Sequence, residues 1–334
     1  MLWLIKNIWR GGASALILLA IFAQTVSVLA AEERETAETP TASAVVEETF
    51  KKGPAVRVLI AEQGKPVTMR SEVPVAVYTG VILRLELPPE TLITIRRERQ
   101  ALTIESEGVS FGTEEPVRIM AEDPLAVFTL PGFARKLSGW KQDFNQYRGI
   151  LELRLAKDKN LLLINELPLE AYVAAIVETN ERDPEEYTKA VLVAARTYAV
   201  VWREEARRRG RAFDLRGSTH DQLYLGYQAE LAQPQVRQWA GETAGEVVTY
   251  EGSPAATLYF GHSTGKTKSW PKRLGERPWL TSVAAPYDKK FKRLYGHGYG
   301  MSMNDARERA RRDNATYQEL LAYYYTGTQV EVRY

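Results

Sequence analysis

The chain reads as an α+β protein, with a β-rich region ahead of a mixed region in which helices and strands intersperse without strict alternation. Three observations predict this. Across residues 54–157, short β-branched runs are broken by turn residues. Between Pro168 and Trp202, apolar residues recur with helical period in two successive stretches. Beyond Trp202, strand and helix signals follow in no fixed order, and Gly, Tyr, Trp and His become prominent.

Residues 1–30 read as an export signal. Lys6 and Arg10 supply a positive start, residues 13–23 are apolar, and Val28-Leu29-Ala30 suits cleavage before Ala31. The alternative is an uncleaved membrane anchor. Either way the rest of the chain is expected in the cell envelope or outside the cell. Residues 31–53 are rich in Glu, Thr, Ala and Ser, which predicts a disordered linker. A β-rich domain is expected over 54–160 and a mixed domain over 161–334.

In the β-rich part, strands are expected at 55–60, 75–78, 92–95 and 101–104. Residues 149–155 alternate well, and another strand starts at 160–164. The first helix follows Pro168, with Leu169, Tyr172, Val173 and Ile176 on one face. The second begins at Asp183-Pro184-Glu185-Glu186, where Asp183 reads as a cap and Glu186 completes a capping box. Tyr187, Ala190, Val191, Ala194, Tyr198 and Val201 share its face. Residues 190–195 are apolar all round, so this helix is expected to be buried. Arg196 follows that run, and a buried guanidinium needs either a nearby carboxylate or an anionic or polar ligand. Further on, 246–250 and 255–260 read as a hairpin around Gly252, and 304–312 as a helix. Thr316 and Glu319 form a capping box ahead of Tyr317, Leu320, Leu321 and Tyr324, and 329–333 is a closing strand.

Charge is balanced. The formal net of +2 equals the contribution of Lys6 and Arg10, which argues against nucleic acid as a partner. Arg207-Arg208-Arg209 with Arg211 reads as a solvated helix end, where cations suit the dipole. Cysteine is absent, which removes disulfides, thiol nucleophiles and thiolate metal sites.

Candidate chemistry falls in two places. The acidic segment 178–183 lies between the two helices, so a carboxylate there sits at the end of one and beside the start of the other. All three histidines, His220, His262 and His297, lie among polar residues or glycines, where a ligand can approach the backbone. Gly296-x-Gly-x-Gly300 lacks the strand-before, helix-after setting of a dinucleotide loop. A metal site from His220, Asp221, His262 and His297 is conceivable, although no pair has the usual ligand spacing. Trp202, Trp239, Trp270, Trp279, Tyr224, Tyr227, Tyr259 and Tyr295 offer faces on which sugars stack, or core.

Several blocks together carry a resemblance. Leu167-Pro-Leu-Glu-Ala-Tyr-Val173 and Ala194-Ala-Arg-Thr-Tyr198 come first. Phe213-Asp214, Gln222-Leu-Tyr-Leu-Gly226 and Thr243-Ala-Gly-Glu-Val-Val-Thr-Tyr250 follow. Tyr259-Phe-Gly-His-Ser263, Pro278-Trp-Leu280, Gly296-His-Gly-Tyr-Gly-Met-Ser302 and Tyr323-Tyr-Tyr-Thr-Gly-Thr328 complete the series. In composition and order these resemble the stage II sporulation protein D (SpoIID/LytB) family, from about Gly149 onward. The resemblance implies a lytic transglycosylase, a lyase acting on peptidoglycan strands stripped of stem peptides, with no cofactor. It implies one catalytic glutamate just after the first helix. Counted forward from Leu-Pro-Leu-Glu, that position falls on Asn180. Counted backward from Ala-Ala-Arg-Thr, it falls on Glu178, because the loop is about two residues short. Glu178 is preferred, since a helix C-terminus and an apolar wall both raise a carboxyl pKa. Glu181 is the alternative. Arg196, His220, Gln222, Tyr224, Ser263, His297 and Ser302 are expected to line the glycan groove. The family's usual Gln and Gly after Gly-Met-Ser are here Met303 and Asp305. Some members hold zinc on cysteines near the Ser-Thr-His segment; this chain has none, so no metal is implied.

Two rival readings remain at this level. One is a non-catalytic glycan-binding protein or enhancer of a cell-wall hydrolase, with a cell-wall amidase as a further candidate partner. The other is a metal-dependent hydrolase. A membrane enters only through an uncleaved signal segment.

Overall fold

Alternation of buried side chains marks several of the first twelve strands. The computed structural model describes residues 47–156 and 160–334. In chain order the strands are β1 (Ala55–Gln63), β2 (Val67–Ser71), β3 (Val75–Thr79), β4 (Ile82–Leu87), β5 (Ile93–Glu98) and β6 (Ala101–Ser106). Then come β7 (Val109–Thr113), β8 (Val117–Met120), β9 (Val127–Thr129), β10 (Gln146–Arg148), β11 (Ile150–Leu155) and β12 (Leu161–Pro168). The mixed region holds α1 (Leu169–Ala174), α2 (Glu185–Arg208), β13 (Leu215–Arg216), α3 (Tyr227–Ala232), α4 (Pro234–Glu242), β14 (Glu246–Tyr250) and β15 (Ser253–Pro254). It ends with β16 (Tyr259–Phe260), β17 (Met301–Ser302), α5 (Met303–Arg312), α6 (Tyr317–Tyr324) and β18 (Gln329–Val332). The chain is therefore α+β, with a β-rich first part.

One sheet runs β13-β1-β12-β11-β8-β3-β4 and a second runs β10-β9-β2-β5-β6-β7. Neighbours are antiparallel except β1 and β13, which are parallel. Both sheets feed one apolar core. Val58, Val77, Ile119, Leu151 and Leu163 of the first meet Met69, Ile95 and Ile104 of the second.

Helix α1 and one side of α2 close this core, with Tyr172, Val173, Leu192 and Ala195 buried in it. The other side of α2 enters a second core. There Tyr187, Val191 and Ala194 meet Val248, Met301, Leu320 and Tyr324. That double contact explains the all-round apolar run in α2.

Residues 1–46 and 157–159 are outside the described set, so the export signal and most of the expected linker fall outside it as well. The linker expected through residue 53 ends earlier: residues 47–50 are helical and Phe50 is buried. Among the described residues, no helix is long and apolar enough to cross a membrane.

Two local expectations change. The capping box at Thr316 forms, but the one at Asp183 does not. Pro184 is the N-cap of α2 and no side chain caps it. Asp183 instead pairs with Arg307 at 2.7 Å and accepts from Asn180. Glu186 accepts from the Tyr317 N–H at the start of α6. The expected hairpin is short: β14 meets β15 over two residue pairs, and its long partner is β18.

Candidate functional site

The chain leaves α1 at Ala175 and becomes extended. Leu225 N–H donates to the Ala175 carbonyl at 3.1 Å, and Val177 N–H donates to the Leu223 carbonyl at 2.7 Å. This short antiparallel pairing carries on into a side chain. Leu223 N–H donates to Glu178 Oε1 at 2.7 Å. Glu178 is half-buried. Burial raises its pKa, and the Leu223 N–H works against that rise by favouring the carboxylate. The helix dipole invoked from sequence has little part, since α1 is one and a half turns long and stops at Ala174; the effect fades within the last turn.

Three phenols lie within electrostatic reach of this carboxyl. Tyr172, Tyr187 and Tyr259 are all held well above the usual phenol range, first by burial and further by the charge of Glu178. Gln222 links two of them. Its Oε1 accepts from Tyr172 Oη at 2.7 Å, and its Nε2 donates to Tyr259 Oη at 2.9 Å and to the Ala195 carbonyl at 3.3 Å. Tyr259 Oη therefore accepts from Gln222 and keeps its own proton free to donate. Tyr259 lies on β16, which pairs in parallel with β17. Its carbonyl faces the His297 ring, whose pKa is lowered first by burial. His297 Nδ1 accepts from Tyr299 N–H at 3.0 Å, so the neutral ring carries its proton on the other nitrogen.

Several residues expected in a groove hold the fold instead. Arg196 is fully buried. It forms a two-pronged pair with Glu170, at 2.8 and 2.7 Å, and reaches the Ala240 and Glu246 carbonyls. A guanidinium inside a core needs that carboxylate, so it does not face a ligand. Gln222 and Tyr224 are also fully buried, Gln222 between the tyrosines and Tyr224 stacked on Tyr172 with its hydroxyl on Asn165 at 2.6 Å. Ser263 and Ser302 converge on buried Asp288, which accepts from Ser263 N–H at 2.7 Å and Ser302 Oγ at 2.6 Å. The unusual Asp305 is likewise structural, accepting from Tyr287 N–H, Tyr324 Oη and Arg309. His220 is exposed in a turn. Glu181, the alternative acid, is exposed and caps α4 by accepting from Gln235 N–H at 2.8 Å. No three His, Cys, Asp or Glu side chains among the described residues converge as a metal site.

Residues 157–250 match the profile of the family described as SpoIID, Stage II sporulation protein. The chain carries a SpoIID domain. That family is generally linked to cell-wall function in sporulation. No curated protein matches the sequence. The matched segment includes Glu178, α2 and Gln222, but not Tyr259, Asp288 or His297. Tyr259 in the site, and Asp288 holding Ser263 and Ser302, are residues that sequence reading missed as such. Tyr259 stood among the aromatics, and its place in the quoted Tyr-Phe-Gly-His-Ser block was the available signal. Asp288 carried none.

Proposed function

We propose that the SpoIID domain is an exported peptidoglycan lytic transglycosylase acting on denuded glycan strands, with Glu178 as general acid and then general base. The observation that carries this reading is the placement of Glu178: a half-buried carboxyl of raised pKa, anchored on Leu223 N–H and within electrostatic reach of Tyr172, Tyr187 and Tyr259. A general acid must hold its proton near working pH, and desolvation is the usual way to achieve that. Protonated Glu178 would give its proton to the glycosidic oxygen as the bond to the anomeric carbon breaks. The resulting carboxylate would take the proton of the muramic 6-hydroxyl, whose oxygen closes onto that carbon. The product is a 1,6-anhydro end, and no water enters. One carboxyl serves both steps, so the second carboxylate of hydrolytic glycosidases has no task. Tyr259, with a free hydroxyl proton, and neutral His297 would orient the sugar.

The test is to digest denuded glycan strands and identify ends by mass spectrometry. The wild-type protein is expected to release anhydromuramic ends, and Glu178→Gln to lose on the order of 10² to 10⁴ in rate. Full activity in Glu178→Gln would remove the assignment. A second reading, a glycan-binding module without catalysis, draws on the Leu223 N–H, which stabilises the ionised form. Retained glycan binding with no anhydro product from the wild-type protein would select it.

A further inference from the structure

A second feature lies beyond the Glu178 neighbourhood. Trp202 and Arg208 on α2 line a cavity of about 370 Å³ together with Arg211, Ala256, Arg277 and Trp279. Arg277 stands over two indole faces, 5.2 Å from Trp202 and 4.4 Å from Trp270. Its guanidinium is half-buried, and no carboxylate lies within ion-pair distance of it among the described residues. Burial lowers its pKa, the mark of a cation short of compensation. The neighbouring arginines differ: Arg208 and Arg209 both pair with Glu205. Four arginines line this cavity against two glutamates, so its field favours an anion.

Rings connect this place to the first one. Tyr198 stacks on Trp202 at 4.3 Å and 11°, and donates to Asp221, next to Gln222. On the other side, Trp270 packs edge-on against Tyr299 at 5.2 Å, and Tyr299 stacks with His297 at 5.8 Å.

We infer that Trp202, Trp270 and Arg277 form a distal subsite for a carboxylate-bearing sugar of the glycan strand, a choice of ligand that rests on the function proposed above. The two indoles hold the guanidinium by its faces, and its planar edge takes a carboxylate in two parallel hydrogen bonds. Muramic acid in a denuded strand carries such a carboxylate on its lactyl group, where an intact strand has a stem peptide.

The experiment uses Glu178→Gln protein, so that strands stay whole, and reads binding of denuded glycan oligosaccharides by tryptophan fluorescence and calorimetry. Reducing the lactyl carboxylates to alcohols is expected to weaken binding about tenfold, the size of one charge-assisted contact. Adding Arg277→Gln should cost the same, and should abolish the difference between native and reduced glycan. Arg277→Lys, which keeps the charge and loses the fork, should restore only part. Equal binding of native and reduced glycan to the Arg277 protein would overturn the subsite. So would equal, Arg277-dependent binding of an oligogalacturonate, which would detach the site from wall glycan. The two proposals separate cleanly. Carboxylate-dependent binding without anhydro product leaves the subsite standing, whereas cleavage with no effect of Arg277 on binding removes the subsite alone.

Discussion

Glu178 combines two demands that oppose each other. Its burial would serve the proposed proton donor, but it costs folding free energy whenever the group ionises. Its pKa in the folded chain is raised from the ordinary 4.5. The folded state therefore holds the proton more tightly than the unfolded chain does. That contribution is complete below the ordinary carboxylate value and is lost as pH rises through the raised one. Glutamine stays neutral throughout and still offers an oxygen to Leu223 N–H. Glu178→Gln is therefore expected to melt higher than wild type at about pH 7 and no higher at about pH 4. Parallel melting curves across that range would contradict a buried carboxyl. At this scale the sequence pointed to Glu178 by a count back from the Ala-Ala-Arg-Thr block that carries the family resemblance. It misjudged Arg196, Ser263 and Ser302. The polar partners Glu170 and Asp288 lie 26, 25 and 14 positions away from them, and no periodic signal spans such gaps. The burial of Arg196 and its need for a partner were legible; which carboxylate supplies it, and the burial of Ser263 and Ser302, were not.

The segment 222–226 supplies both the Leu223 N–H and Gln222, and it turns at once into α3. Gly226 makes that turn at φ +79, with no room for a side chain. A Cβ there would run into the Gln146 carbonyl oxygen and the Tyr147 ring of β10. Gly226→Ala should cost at least about 2 kcal/mol, from left-handed backbone strain and the lost approach. A lower denaturant midpoint at unchanged slope is the expected reading; an unchanged midpoint would mean that α3 can shift without penalty. Elements with strong local periodicity, such as α2, α6 and β11, were legible in sequence. The 255–260 half of the expected hairpin was not. Its alternation reflects contacts with other elements: Thr257 donates to the Ala194 carbonyl of α2, Trp279 donates to the Ala256 carbonyl, and Met301 N–H donates to the Leu258 carbonyl. Those partners lie far off in sequence, so the local pattern looked like a strand pair.

Composition divides the chain near residue 160, yet the first sheet runs straight across that point. β12 lies between β1 and β11, and β1 is also the parallel partner of β13. The site leans on the β-rich part as well. Arg135 Nη1 donates to the Tyr224 carbonyl at 2.5 Å. Asn165 holds Tyr224 Oη while donating to the Arg148 carbonyl at 2.6 Å and the Ile150 carbonyl at 3.1 Å. A fragment of residues 161–334 would leave both edges of β12 unpaired and β13 without its partner. It would also expose Leu161, Leu163, Leu167, Tyr172 and Val173, all buried in the shared core. Unpaired strand edges and uncovered apolar faces favour aggregation over folding. The fragment is therefore expected to lack near-UV circular dichroism and to be cut rapidly by protease. The whole chain is expected to lose tryptophan fluorescence and far-UV signal in one coincident denaturant transition, because a single core serves both parts. A soluble 161–334 fragment with native fluorescence and slow proteolysis would reverse this. It would make the β-rich region a separable platform, and would require the Leu223–Glu178 contact to form without Arg135 behind it.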